Sequence, residues 1–223
     1  MPEEDAFDYA SEMKEYYRSE EVASSYHDAY GEDGHWRHRL IASRERAVVE
    51  SLVSAVPCET VLDLPTGTGK LAPVFAETGS AVLACDISEA MLGRAEREYA
   101  RAGVVNRRFA VCDATSVSEV VGNRFDVAVC LRLLHRVPTD VKRRILSELA
   151  AVADHVVVST GIESPFHAAR RRLRYRLLGG DERGHCYETA AKTRDLFTRE
   201  FDVLDARWVL PVLSQERVYL LRS

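Results

Sequence analysis

The sequence is poor in the features that would assign it to a membrane, a metal or an oxidising compartment. No apolar run approaches the roughly 18 residues that a membrane-spanning helix needs, so no membrane span is expected. Cysteine is scarce and scattered: Cys58, Cys85, Cys112, Cys130 and Cys186 form no C-x-x-C pair. That argues against a zinc site and against a disulfide framework, and it fits a reducing, cytoplasmic setting with no bound metal. Positive charge is also in deficit, with a formal net charge of −5 and a pI near 5.8. The protein as a whole is therefore not built to be drawn onto nucleic acid or anionic lipid, and any such attraction must be local. The first residues, Met-Pro-Glu-Glu-Asp, are acidic and lack an apolar signal core, which predicts a soluble, unprocessed chain. No internal repeat or low-complexity tract is visible.

What is present is an alternation of apolar strands and amphipathic helices. The chain has 223 residues, 46% of them hydrophobic, enough for one α/β domain with its own core. Apolar residues at helical spacing from Ile41 to Val56 predict a helix that Pro57 closes. Strands are predicted at Val61–Leu64, Ala81–Cys85, Arg108–Cys112, Phe125–Leu131 and His155–Ser159, separated by helices at Leu71–Ala76, Ser88–Arg101 and Thr139–Ala153. Continuous Val/Leu-rich strands joined by helices indicate a parallel, doubly wound sheet buried on both faces. A helix over Thr189–Arg199 is then followed by strand-like segments at Phe201–Leu204, Ala206–Leu210 and Arg217–Leu221, the last two expected to pair as an antiparallel edge hairpin. The expectation is a Rossmann-like, mostly parallel seven-stranded α/β sheet. Residues 1–40, rich in Tyr and acidic groups, are expected to add an N-terminal helical cap or lid to a domain spanning 41–223, with an insertion at about 162–188.

The first strand runs into Pro65-Thr-Gly67-Thr-Gly69, a glycine turn that opens a helix. Proline stops the ladder and the two glycines permit conformations and close approaches that side chains would block. A phosphate-cradling loop is excluded, because Leu64 stands where its first glycine belongs and Leu71 where its Ser/Thr belongs. A dinucleotide fingerprint is met only in variant form, with Ala72 at the third glycine position. Ligands in such sheets sit outside the carboxyl ends of the strands. Asp86 ends the second strand, where a carboxylate either accepts from ribose hydroxyls or caps the next helix, and Asp113 ends the third, where it can serve as a turn residue.

Four stretches in order, VLDLPTGTGKLAP (61–73), AVLACDISEAMLGRAE (81–96), FAVCDAT (109–115) and RFDVAVCLRLLHRVP (124–138), make residues 41–160 resemble a class I S-adenosylmethionine-dependent methyltransferase. The likeness is to the small-molecule group that includes the quinone-biosynthesis enzymes. Pro65-Thr66 replaces the commoner Gly-Cys, and Val152-Ala-Asp154 stands where a P-G-G turn is usual. The resemblance implies S-adenosylmethionine as cofactor. It assigns Asp63, Pro65, Thr66, Gly67 and Gly69 to the methionine end, Asp86 to the ribose, Ile87 and Met91 to the adenine face, Cys112, Asp113 and Ala114 to the adenine edge, and Leu131 and Arg132 to the neighbourhood of the sulfonium.

The implied reaction is methyl transfer to oxygen, nitrogen or carbon of a small-molecule acceptor, with an anionic, sugar or natural-product acceptor in view. His135, titratable near neutral pH and just past the fourth strand, is the candidate general base and an acceptor contact, or else a packing residue. Tyr16, Tyr17, Tyr26, Trp36 and His185 are candidate acceptor contacts, and His167, Tyr187 and Trp208 come from segments of the same kind. Arg172 and Arg174 lie in a run of five arginines, Arg170–Arg176, which is either a solvated face or a fork for a phosphate or carboxylate. The alternatives are a nucleic-acid or protein methyltransferase, or a non-catalytic cofactor-binding protein. No Asn/Asp-Pro-Pro-Tyr run or Pro-Cys nucleophile supports the nucleic-acid reading, and a nicotinamide oxidoreductase lacks its Tyr-x-x-x-Lys pair.

Overall fold

The computed structural model describes residues 36–169, 176, 186–211 and 214–223; for residues 36–38 only the backbone is described. Tyr16, Tyr17, Tyr26, Arg172, Arg174 and His185 lie outside the described residues, as does the side chain of Trp36. The elements are α1 (Trp36–Val53), β1 (Thr60–Asp63), α2 (Ala72–Thr78), β2 (Ala81–Asp86), α3 (Glu89–Ala102), β3 (Arg107–Val111), β4 (Phe125–Cys130), α4 (Thr139–Val152), β5 (Ala153–Glu163), β6 (Glu188–Thr189), α5 (Ala190–Phe197), β7 (Asp202–Trp208) and β8 (Glu216–Arg222). Helix α1 begins five residues before the apolar spacing starts at Ile41, where Arg37, His38 and Arg39 interrupt any apolar period.

The strands form one mixed sheet in the order β3-β2-β1-β4-β5-β8-β7, with the two-residue β6 added beside the far end of β5. β1 to β5 are parallel, and β8 runs antiparallel between β5 and β7. This is the doubly wound sheet that the strand pattern predicts, enlarged by β6. Alternating residues divide the core into two layers. Val61, Val82, Val127, Val129, Val157 and Leu220 pack under α1, α2 and α3, while Leu62, Cys85, Ala128, Val156, Val158 and Leu221 pack under α4 and α5. Burial on both faces explains why these strands read as unbroken apolar runs.

Two strands depart from their expected bounds for identifiable reasons. β7 joins the two short segments 201–204 and 206–210 into one strand, because a register shift between Val203 and Asp205 interrupts the alternation at that point. β5 continues past its Val run to Glu163, since Thr160 and Gly161 still pair with Arg217 and Glu216 of β8. Gly161 has a specific use. A Cβ there would lie 2.3 Å from the ring of Tyr187, so only glycine lets that ring rest on the strand.

Candidate active site

In the sheet order, β1 and β4 lie side by side while their neighbours wind outward in opposite directions, which opens a crevice at the carboxyl ends of the strands. One cavity occupies that crevice, with about 1320 Å³ of empty space counting its open mouth. Asp63, Pro65, Thr66 and Gly67 line it from the first strand and its turn, Asp86, Ile87 and Met91 from the β2–α3 junction, Cys112, Asp113 and Ala114 from the end of β3, and Leu131 and Arg132 from the end of β4.

Gly69 is the exception among the residues expected around the ligand, since it does not line the cavity. With φ at +81° it faces α3, where an added Cβ would lie 2.9 Å from the Ala95 Cα. Its lack of a side chain seats the helix against the turn instead of opening the turn to a ligand. Gly67, at φ +55°, does line the cavity and carries the conformational requirement of the turn.

The acidic residues at the strand ends are held by their own turns and by neighbouring elements. Asp63 is buried at 2% exposure, and its Oδ2 accepts from the Thr66 hydroxyl at 2.6 Å and the Tyr99 phenol at 2.7 Å. Burial, only partly offset by these two donors, pushes its pKa up to about 7. Asp86 Oδ2 accepts from the Gly67 N–H at 2.8 Å and its Oδ1 from the Ser88 N–H at 3.0 Å, which ties β2 to the glycine turn. Burial again holds this carboxyl above its usual range against those backbone donors. The helix-capping role belongs to Ser88, whose Oγ accepts from the Met91 N–H. Asp113 Oδ1 accepts from the Thr115 N–H and hydroxyl at 2.9 and 2.8 Å, so the turn function of Asp113 and its place in the cavity wall coexist.

The other end of the cavity is charged and assembled from distant parts of the chain. Arg132 has φ +59°, uncommon for a residue with a side chain. Its N–H donates to Ser159 Oγ at 2.8 Å, and its guanidinium donates to both oxygens of Glu45 on α1, at 3.0 and 2.5 Å. Ser159 in turn donates to Glu216 of β8 at 2.8 Å. Burial, and after it the charge of Glu45, hold the Glu216 carboxyl above the usual range, against the opposing pull of the Arg132 guanidinium 4.0 Å away and of the Ser159 hydroxyl. Lys70 and Glu45 also line this end. Burial lowers the Lys70 pKa to about 8, Arg132 adds to that and Glu45 opposes it.

Sequence reasoning missed Glu45, Lys70, Arg136, Leu133, Val141 and Ile145, all in the cavity wall. The last two follow from the apolar stripe of α4, whereas nothing local marks Glu45. His135 is placed differently. It is 8% exposed, outside the cavity wall, with its ring stacked on Tyr187 at 6.0 Å between centroids and its carbonyl accepting from the Cys186 N–H at 2.8 Å. Lys142, 1% exposed, anchors the same segment by donating to the Cys186 carbonyl at 2.6 Å and pairing with Glu188 at 3.3 Å. His167 is bonded to the Ser164 hydroxyl, and Trp208 lies under the Arg217 guanidinium at 5.5 Å, both away from the cavity wall. Among the described residues no cluster of His, Cys, Asp and Glu could hold a metal, and no helix is long and apolar enough to cross a membrane.

A glycine turn, strand-end carboxylates and an apolar shelf around one crevice define an open α/β sheet with a site for a nucleoside-bearing ligand. Residues 61–155 match the family model described as "Methyltransferase domain". Over 105 residues the chain is 29% identical to a magnesium-protoporphyrin O-methyltransferase of Synechocystis, covering 46% of this chain and 44% of that protein. Over 78 residues it is 35% identical to a ubiquinone biosynthesis O-methyltransferase of Pseudomonas fluorescens, covering 35% of this chain and 33% of that protein. The chain thus aligns with less than half the length of these curated relatives. Its fold matches that of a Synechocystis magnesium protoporphyrin IX methyltransferase crystallised with bound SAH, with a TM-score of 0.78 at 20% identity over 95% of this chain and 98% of the other. A protein from Pyrococcus horikoshii shares the fold with a TM-score of 0.66 at 19% identity, over 89% of this chain and 98% of the other.

Proposed function

We propose that this protein binds S-adenosylmethionine in the crevice and transfers its methyl group to an oxygen of a small-molecule acceptor. The observation that carries this reading is the convergence of Asp63, Gly67, Asp86 and Asp113 on one cavity, all inside the stretch that matches the methyltransferase domain. The donor set fits the ligand: carboxylates and turn amides for ribose and adenine polar groups, Ile87, Met91, Val141 and Ile145 as an apolar shelf, and a charged end for an amino-acid tail. When bound, the cofactor supplies a methyl carbon activated by a sulfonium. The protein's own part is then to orient, to exclude water and to hold the acceptor in line, which can supply much of the rate. Transfer to oxygen is favoured by the two relatives, which are named for O-methylation of magnesium-protoporphyrin and in ubiquinone biosynthesis.

His135 is the candidate base for an acceptor that carries a proton, with Tyr187 fixing its ring. Arg172 and Arg174 are candidate contacts to an anionic acceptor, Tyr16, Tyr17, Tyr26, Trp36 and His185 are candidate contacts to its body, and a cytoplasmic location is part of the same reading. Calorimetry with S-adenosylmethionine, S-adenosylhomocysteine and NAD tests the cofactor: binding of the first two is expected, and binding of NAD alone would sink the proposal. A screen of metabolites with methyl-labelled cofactor then identifies the acceptor. His135→Gln should lower kcat with cofactor affinity unchanged, and equal turnover would remove His135 from the mechanism.

A further inference from the structure

The cavity wall carries more positive groups than an amino-acid tail requires. Lys70 comes from the glycine turn, Arg132 from the end of β4 and Arg136 from the turn after it, and all three line the wall. On the negative side, Glu45 reaches in from α1, while Glu216 of β8 stands behind it bonded to Ser159. Asp63 and Asp86 face the same cavity from β1 and β2, and Asp113 from the end of β3. Arg132 is constrained at its N–H by Ser159 and at both ends of its fork by Glu45, at 18% side-chain exposure against 8% for Glu45.

This inference rests on the cofactor reading above. S-adenosylmethionine and its demethylated product share the same adenosine, ammonium and carboxylate, and differ by one methyl group and one positive charge on sulfur. A wall bearing free cations would therefore favour the neutral product over the substrate. We propose that Glu45 is a specificity-determining residue for the charge state of the cofactor: by taking up the Arg132 guanidinium and offsetting Lys70, it lets the cavity accept a sulfonium and release the neutral thioether. Its reach from α1 gives the helix a role in turnover as well as in packing, since product inhibition is set by the same balance. Glu216 stands behind the pair, 4.0 Å from the Arg132 guanidinium, with its carboxyl held above the usual range by burial and by Glu45.

The test is the ratio of dissociation constants for the two ligands, measured by calorimetry at neutral pH on the full chain. Glu45→Gln should weaken S-adenosylmethionine about tenfold while changing S-adenosylhomocysteine less than about twofold, since removing one nearby charge acts only on the ligand whose charge differs. Lys70→Met should move the ratio the other way, tightening the sulfonium ligand relative to the product. Glu45→Asp, which keeps the charge, should return the ratio most of the way to that of the wild type. A purely structural role would weaken both ligands together, and an equal loss for both, or a Lys70→Met ratio that does not move, overturns the proposal. Should Glu45→Gln fail to fold, the sign of the Lys70→Met shift decides the matter by itself. If the wild type binds neither ligand, the cofactor reading itself has failed, a result distinct from an unmoved ratio.

Discussion

The two ends of the cavity are built by opposite means. At the nucleoside end the partners come mostly from the strand ends and their turns: Asp113 is held by Thr115, Asp86 by Ser88 and the adjoining glycine turn, and Asp63 by Thr66, with only Tyr99 of α3 reaching Asp63 from 36 positions away. At the charged end the partners come from four separate elements, with Glu45 and Arg132 separated by 87 positions and Ser159 and Glu216 by 57. The local end is set once its strands are paired and α3 is docked on them. The charged end exists only when α1, β4, β5 and β8 are all docked, so it couples ligand chemistry to the integrity of the whole fold.

The sharpest way to break this contrast is Arg132→Ala. It leaves Glu45 buried without its cation, and a loss of about 3–5 kcal/mol of stability is expected in urea unfolding. A loss under about 1 kcal/mol would mean that the pair is well solvated and that the two ends do not differ in kind. Next in size is a pH effect at the same end. Because Glu216 holds its proton above the ordinary carboxylate range, the native state binds a proton that the unfolded chain has released, and wild-type stability falls as pH rises through that window. Glu216→Gln removes the titration, so it should gain on the wild type by up to a few kcal/mol between about pH 5 and pH 9. A constant difference across that range would contradict the protonated state.

The nucleoside end should respond in binding more than in stability. Asp86→Asn keeps the shape but replaces a charged acceptor, and cofactor affinity should drop by about 1–3 kcal/mol in calorimetry. Unchanged affinity would mean that the ribose is held elsewhere. The smallest effect is expected from Thr115→Val, which removes one hydroxyl donor from Asp113 and leaves the backbone donor in place. About 1 kcal/mol or less of stability should be lost, with cofactor affinity within roughly threefold. A larger change would show that Asp113 is oriented by its side-chain partner and not by the turn.

The same contrast explains what could be read from the chain before its fold was known. Asp63, Gly67, Asp86 and Asp113 were legible because each is fixed by a strand end or a turn, and strand ends are marked by where an apolar run stops. The mostly parallel, doubly wound sheet followed from the buried strand pattern, while the order of its strands did not. Glu45 was not legible, because an acidic residue within a polar helical turn carries no sign of the arginine it meets 87 positions later. Gly69 was legible as a required glycine, but the requirement comes from the helix packed on it, which no motif records. His135 was legible as a residue past the fourth strand and lies in the turn Leu134–Arg136, yet its ring direction depends on Tyr187, and that contact exists because Gly161 on another strand has no side chain.

The position of β8 has a consequence for how the molecule is made. It follows β7 in the chain but lies between β5 and β7 in the sheet, paired with β5 from His155 to Gly161. Until residues 216–222 are in place, the Val-rich edge of β5 is open and β7 has nothing to pair with. A nascent or clipped chain lacking β8 would thus expose a long apolar edge, the kind of surface that recruits other strands. Folding of the sheet's outer half is gated by its last strand, and quality control of this protein should be decided there, in the interval before that strand inserts.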